Sequence, residues 1–172
     1  IAASVKKKDG DGHCLFRSLG DYSNGQKGWS KTMQLRNQIA RYQKDHPTMR
    51  VYGTAAENST FEEYVLEEKK ETLDHYAFLM TDTTRYGGAF EIDAFSKMNK
   101  KRVIVYVKSG KVWTPWLVVG EDYGEEDVVR LGFVDNNHYV RLVLNVKATQ
   151  KLRATEAKAA EKETKRKEKA AQ

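Results

Sequence analysis

One cysteine in 172 residues excludes an internal disulfide and any cysteine-rich zinc site, and it fits a reducing compartment. No apolar run approaches the ~18 residues that a membrane-spanning helix requires, and no secretory signal pattern opens the chain. The sequence begins at Ile1 rather than methionine, as expected of a piece or processed form of a longer protein. No internal repeat is present, and the length suits one domain with a sizeable core. Only two prolines occur, Pro47 and Pro115, and each marks a boundary. Pro47 disfavours helix in the residue before it, and Pro115 places its strand at a sheet edge or a bulge.

Charge of one sign is lacking across most of the chain. The net charge is +6, but residues 147–172 hold nine Lys or Arg against four Glu, which leaves 21 basic and 20 acidic residues in the first 146. The expected division is therefore a near-neutral domain over 1–146 and a charged Lys/Glu/Ala-rich tail, helical or disordered, over 147–172. With Leu152 as its single large apolar residue, the tail cannot bury a face and reads as a solvated extension or linker. A phosphate-binding arm is the other reading, opposed by the interleaved glutamates, so nucleic acid is not the expected partner.

Hydrophobic spacing predicts helices first and strands later. Met33, Leu35, Ile39 and Tyr42 recur at helical intervals over Ser30–Asp45. Thr60-Phe61-Glu62-Glu63 has the capping-box pattern and predicts a helix running to about Leu79. A loop, Thr81 to Gly88, precedes a short helix from Phe90 to Met98. Val103–Val107 is a continuous β-branched and aromatic run, as in a strand buried on both faces. Strands are also expected at Val112–Trp113 with Trp116–Val119, at Val128–Val134, and at Tyr139–Leu144, the last two joined by a turn over Asp135–His138. This order implies an α+β domain with a small, mainly antiparallel sheet packed between helices. The aromatics Trp113, Trp116 and Tyr106 read as core, with one tryptophan free to lie at the surface near Pro115.

The lone cysteine lies in Asp9-Gly10-Asp11-Gly12-His13-Cys14-Leu15-Phe16-Arg17-Ser18-Leu19, where a glycine-rich acidic turn feeds an amphipathic segment. Glycine permits turns that other residues resist, and a helix beginning at Cys14 would put the thiol against unpaired N–H groups, lowering its pKa below the usual ~8.5. An activated nucleophile and a buried structural cysteine both fit this window. The turn does not match a calcium loop, because His13 falls where an oxygen ligand is needed. A nucleophile needs a base, and four histidines are available. His13 adjoins the cysteine and would face elsewhere, His46 precedes a proline, and His75 sits mid-helix. His138 stands where an Asn-rich turn enters an apolar strand, the late-strand position of the base in papain-like cysteine proteases, though a turn histidine with a backbone partner also fits.

Four blocks together carry a family resemblance. Asp11-Gly12-His13-Cys14-Leu15-Phe16-Arg17-Ser18, Tyr86-Gly87-Gly88-Ala89-Phe90-Glu91-Ile92-Asp93-Ala94-Phe95-Ser96, Arg102-Val103-Ile104-Val105-Tyr106 and Asn137-His138-Tyr139 resemble, in order and spacing, the ovarian-tumour (OTU) family of deubiquitinating cysteine proteases. The resemblance spans about Asp9 to Leu144. It implies a papain-like fold of OTU type and thiol-dependent hydrolysis of the isopeptide bond at the ubiquitin C-terminus, with ubiquitin or polyubiquitin as partner. Cys14 is then the nucleophile and His138 the general base, with Asp11 bracing the loop and the histidine. Gly10, Gly12 and His13 belong to the oxyanion loop, and Tyr86, Gly87 and Gly88 line the substrate tail. No metal or cofactor is implied. A peptidase acting on a ubiquitin-like modifier, or a weakly active ubiquitin-binding module, remains the alternative. A monomer in the cytoplasm is expected, or in the host cytosol for a viral or bacterial effector.

Two positions depart from the family pattern. Val140 stands where the family often has an Asn or Asp that orients the histidine, leaving Asp11, Asn136, Asn137 or water for that role. Tyr86 replaces a tryptophan, keeping an aromatic wall with a different shape. The acidic loop Glu121-Asp122-Tyr123-Gly124-Glu125-Glu126-Asp127 reads as a solvated hairpin tip or, through Glu125 and Glu126, as a docking rim for the basic ubiquitin tail.

Overall fold

The helical spacing over 30–45 produces α2 (Trp29–Asp45), which stops at His46 before Pro47. Its buried face is Thr32, Leu35, Arg36, Ile39, Ala40 and Gln43, so Met33 and Tyr42 flank the stripe and an arginine lies within it. The computed structural model describes residues 1–22, 28–52, 59–81 and 85–170. α1 (Cys14–Gly20) precedes α2, and β1 (Ala3–Lys6) precedes both.

The capping box at Thr60 is present, with Thr60 Oγ1 accepting from Glu63 N–H at 3.2 Å and Glu63 Oε2 accepting from Thr60 N–H at 2.9 Å. The helix it starts does not run unbroken to Leu79. α3 (Phe61–Tyr64) widens into a π-turn over Val65–Lys69 and ends at Lys70 in the left-handed region, φ 57°. The residues Glu67 to Glu71 are all polar and offer no apolar stripe to hold a helix on the core. Thr72 then caps a separate α4 (Leu73–Met80), its hydroxyl accepting from His75 N–H at 3.2 Å. Asp82–Thr84 of the expected loop lie outside the described residues, and α5 (Ala89–Asn99) follows.

The later half forms β2 (Val103–Ser109), β3 (Val112–Val119), β4 (Val129–Val134) and β5 (His138–Leu144). With β1 they make one sheet in the order β1-β5-β4-β2-β3, antiparallel except for the parallel β2–β4 pair. Pro115 lies on edge strand β3, and the register shifts where Tyr106 faces it. There its missing N–H costs no inner-ladder bond. Strand β1 is the element that residue patterning did not announce, since Ala-Ser-Val-Lys is short and mostly exposed.

One sheet face carries Val103, Val105, Val119, Val129, Leu131 and Tyr139, packed with Leu15, Phe16, Leu19, Ile39, Phe61, Phe90 and Phe95 of the helices. The other face carries a smaller cluster of Tyr106, Trp113, Val140 and Leu142. Gly132 makes room for it, because a Cβ there would come within 2.9 Å of both Trp113 and Val140. The sheet curls around this cluster until Ile1, beyond one edge, exchanges hydrogen bonds of 2.7 and 2.9 Å with Trp113 on the other. The charged tail begins as α6 (Val146–Ala170), pinned by Thr149 to the Ala2 backbone (3.1 and 3.2 Å). Beyond that its exposed surface carries Glu-to-Lys pairs four residues apart, Glu161 with Lys165 and Glu163 with Lys167. Among the described residues no helix is long and apolar enough to cross a membrane.

Candidate active site

The hairpin between β4 and β5 decides what reaches the cysteine. β4 runs to Val134, the hairpin turns over Asp135–Asn137, and β5 starts at His138, which pairs with Val134. Asp135 and Asn136 adopt φ 52° and 63°, left-handed conformations that Asn and Asp tolerate better than branched residues. α1 packs its N-terminus against this end of β5. Tyr139 N–H donates to Cys14 Sγ at 3.4 Å, and the thiol points toward the Asn137 carbonyl at 3.9 Å. The backbone on both sides of His138 thus brackets the nucleophile candidate, 123 to 125 residues away in sequence.

Cys14 is 1 % exposed. Burial pushes its thiol pKa up, the Asp11 carboxylate adds to the rise, and the N–H groups of Tyr139, Leu15 and Cys14 itself offset only part of it. The expected lowering at the helix N-terminus is therefore reversed, because desolvation of the thiolate outweighs the few N–H groups that face it. Burial thus favours the neutral thiol over the thiolate.

The loop before it is tied by its own side chains. Asp11 Oδ1 accepts from His13 N–H at 3.0 Å and pairs with the Arg17 guanidinium, while Cys14 N–H donates to the Asp11 carbonyl at 3.2 Å. Burial favours protonation of Asp11, but the Arg17 pairing and the His13 N–H outweigh it and hold the carboxyl below its usual range. His13 is a packed residue, its ring edge-on to Trp29 at 4.6 Å, and Arg17 lies over the same indole at 5.2 Å. The N–H groups of His13 and Cys14 are thus engaged at rest, and those of Gly10, Asp11 and Gly12 meet no acceptor among the described residues.

His138 packs on this loop, its Nδ1 lying 3.9 Å from where a Cβ on Gly10 would stand. That Nδ1 is buried without a hydrogen-bond partner among the described residues. None of the expected orienters reaches it. Asp11 is committed to Arg17 and the His13 N–H, and Asn136 and Asn137 are exposed in the turn. Of the other histidines, His46 ends α2 with its Nδ1 2.8 Å from the Tyr42 carbonyl, and His75 stands 3.8 Å from Glu71 on an exposed face.

The segment Arg85–Gly88 forms the opposite wall. Tyr86, 44 % exposed, donates its hydroxyl to the Gly10 carbonyl at 3.3 Å and so bridges the two walls. Gly87 is obligatory for the approach, since a Cβ would lie 2.8 Å from Leu15 Cδ2 and 2.9 Å from Phe16 Cζ. Gly88 N–H donates to Glu91 at 2.7 Å, and the buried Glu91 also accepts from the Tyr76 hydroxyl (2.5 Å) and the Gln43 amide (3.4 Å). Arg36 was not singled out by the sequence, and Glu91 appeared there only within the Tyr86–Ser96 block, with no role of its own. Of the two tryptophans beside Pro115, Trp113 is buried and Trp116 is the one at the surface, 58 % exposed and stacked on Phe133, which in turn contacts Tyr139.

The structure does not bring Glu125 and Glu126 to this wall. Their loop enters β4 at the Val129 end, about 20 Å of strand away from the hairpin that carries His138, and Glu125 pairs with Arg102 at 3.3 Å. Preceding the histidine strand in sequence does not mean adjoining it, because β4 intervenes.

Three comparisons bear on this geometry. The family model of the OTU-like cysteine protease matches residues 9–139. Over 145 residues the chain is 28 % identical to the 232R protein of Invertebrate iridescent virus 3, named as a ubiquitin thioesterase, a match covering 81 % of this chain and 16 % of that protein. It is 26 % identical over 154 residues to the deubiquitinase OTUD6B of Gallus gallus, covering 84 % of this chain and 46 % of that one. The chain thus spans a sixth to just under half of these relatives' lengths. In fold it is similar to the Hazara virus OTU bound to ubiquitin, with TM-score 0.64, 16 % identity, and 83 % and 82 % of the two chains covered.

Proposed function

The chain belongs to the family of OTU-like cysteine proteases, and from that premise we propose that it is a deubiquitinase that cleaves the (iso)peptide bond at the ubiquitin C-terminus. One observation carries the reading: the backbone flanking His138 brackets the Cys14 sulfur, which supports His138 as the base for a Cys14 nucleophile. The names of the iridescent-virus and chicken relatives support ubiquitin as the substrate.

In this mechanism the neutral Cys14 gives its proton to His138 as its sulfur attacks the carbonyl carbon of the ubiquitin C-terminal residue. Burial makes a standing thiolate costly, so proton transfer coincides with attack. The oxyanion is received by loop N–H groups, for which Gly10, Asp11 and Gly12 are open. His138 then protonates the leaving lysine amine, and a thioester to Cys14 remains. Water, deprotonated by His138, hydrolyses it and restores the thiol. Each oxyanion donor of this kind is typically worth about 2.7–4 kcal/mol. Tyr86, Gly87 and Gly88 confine the extended tail, with Glu91 fixing their backbone.

The test is incubation with ubiquitin carrying a C-terminal electrophile, followed by intact mass. The wild type should gain one ubiquitin, and Cys14→Ala should gain none while keeping its melting temperature. Cleavage of polyubiquitin by Cys14→Ala would remove the nucleophile assignment, and labelling only by probes built on ubiquitin-like modifiers would reassign the substrate.

A further inference from the structure

The guanidinium of Arg36 is fully buried and uses all three nitrogens on backbone carbonyls. Nη1 donates to Gly12 at 2.9 Å, Nε to Met80 and Nη2 to Arg85, and the Phe16 ring lies 4.6 Å from its centre. These carbonyls belong to the cysteine loop, the end of α4 and the start of the Tyr86 wall. The Gly12 carbonyl and the His13 N–H are the two ends of one planar peptide unit. Arg36 holds the carbonyl end, and Asp11 Oδ1 holds the N–H end at 3.0 Å.

We propose that Arg36 and Asp11 clamp the Gly12–His13 peptide from opposite ends, making Arg36 a positioning residue for the oxyanion loop. A peptide gripped at both ends cannot rotate. Its orientation constrains the adjoining Gly12 N–H and, through the same tight turn, the Asp11 and Gly10 N–H groups, which are the ones left open for the oxyanion. Through Met80 and Arg85 the same side chain sets the distance from this loop to the opposite wall. A lysine cannot replace it, because an ammonium lacks the planar fork that reaches three carbonyls in one plane. The proposal rests on the hydrolase reading above.

The experiment compares Arg36→Lys and Arg36→Gln with Ile39→Ala, a fully buried residue on the same helix face that touches neither wall's polar network. On a fluorogenic ubiquitin C-terminal substrate, kcat per folded molecule should fall about 10²-fold in the Arg36 variants with KM little changed. Ile39→Ala should match their loss of melting temperature while keeping kcat within twofold. Alkylation of Cys14 by iodoacetamide, which forms no oxyanion, should stay within twofold in all three. Amide exchange of His13 should accelerate at least tenfold in the Arg36 variants alone. If the Arg36 variants do not fold, Asp11→Ala removes the acceptor at the other end of the clamp and must show the same split between kcat and alkylation. An unchanged kcat in folded Arg36 or Asp11 variants overturns the clamp, as does an unchanged His13 exchange rate. A wild type that turns over no ubiquitin substrate overturns the hydrolase reading instead, and His13 exchange then decides the clamp by itself.

Discussion

The cysteine arrives on a loop gripped by side chains from several directions, whereas the histidine arrives at the start of a packed strand with no hydrogen bond to its Nδ1 among the described residues. On the cysteine side, Asp11, Arg17, Trp29 and Arg36 fix the turn, and Gly87 lets the opposite wall close on Leu15 and Phe16. On the histidine side, a short hairpin sets the residue's position and its Nδ1 bonds to no group among the described residues. The cysteine is therefore preorganised by tertiary contacts, and the imidazole is placed by its backbone and by packing on the loop, without a hydrogen bond to its Nδ1 among the described residues. Catalytic efficiency has more to gain on the second side than on the first.

The sharpest way to break that contrast is to supply the absent orienter. Val140→Asn puts an amide two residues beyond the imidazole, where the family pattern has one. It should raise kcat several-fold on the fluorogenic substrate while lowering stability by about 1–3 kcal/mol, since an amide enters the cluster of Tyr106, Trp113 and Leu142. Unchanged kcat in a folded variant would mean that the strand alone already orients His138.

A smaller effect sharpens the cysteine side. The Asp11 carboxyl is held below its usual range, so its contribution to stability is present above the unfolded pKa near ~3.9 and is lost as pH falls through the lowered folded value. Thermal melts of wild type and Asp11→Asn should differ at pH 7 and converge as the pH falls below ~4. A constant difference across that window would place the effect elsewhere.

The smallest effect belongs to the acidic loop. Neutralising it with Glu125→Gln, Glu126→Gln and Asp127→Asn should leave kcat/KM within twofold at low and moderate ionic strength, because the loop lies at the far end of β4. Asparagine is used at 127 since that residue sits at φ 56°. A loss that grows as salt is lowered would restore the loop as a docking rim.

What was legible in the sequence divides along the same line. α2, α5 and strands β2 to β5 follow from local periodicity and turn chemistry, and the histidine's place on β5 came with them. The capping box at Thr60 was legible too, but not the break after Tyr64, which arises where Glu67 to Glu71 leave the helix without an apolar face. Strand β1 was hidden because its pairing with β5 is made across almost the whole chain by four small or polar residues. The parallel β2–β4 pairing also skips a strand in sequence, and missing it misplaced Glu125 and Glu126. Arg36 was hidden because an arginine in an apolar stripe declares its partners only after folding. The direction of the Cys14 shift was misread because helix position is local, while the burial that outweighs it is not.

The most direct test of the account is the turnover of three histidine variants on the fluorogenic ubiquitin substrate. His138→Ala should lower kcat by ~10²-fold or more, as expected for removal of a positioned base, while His46→Ala and His75→Ala stay within twofold of wild type. Equal losses at His138 and His75, or full turnover by His138→Ala, would contradict the pairing of Cys14 with His138 on which the mechanism stands.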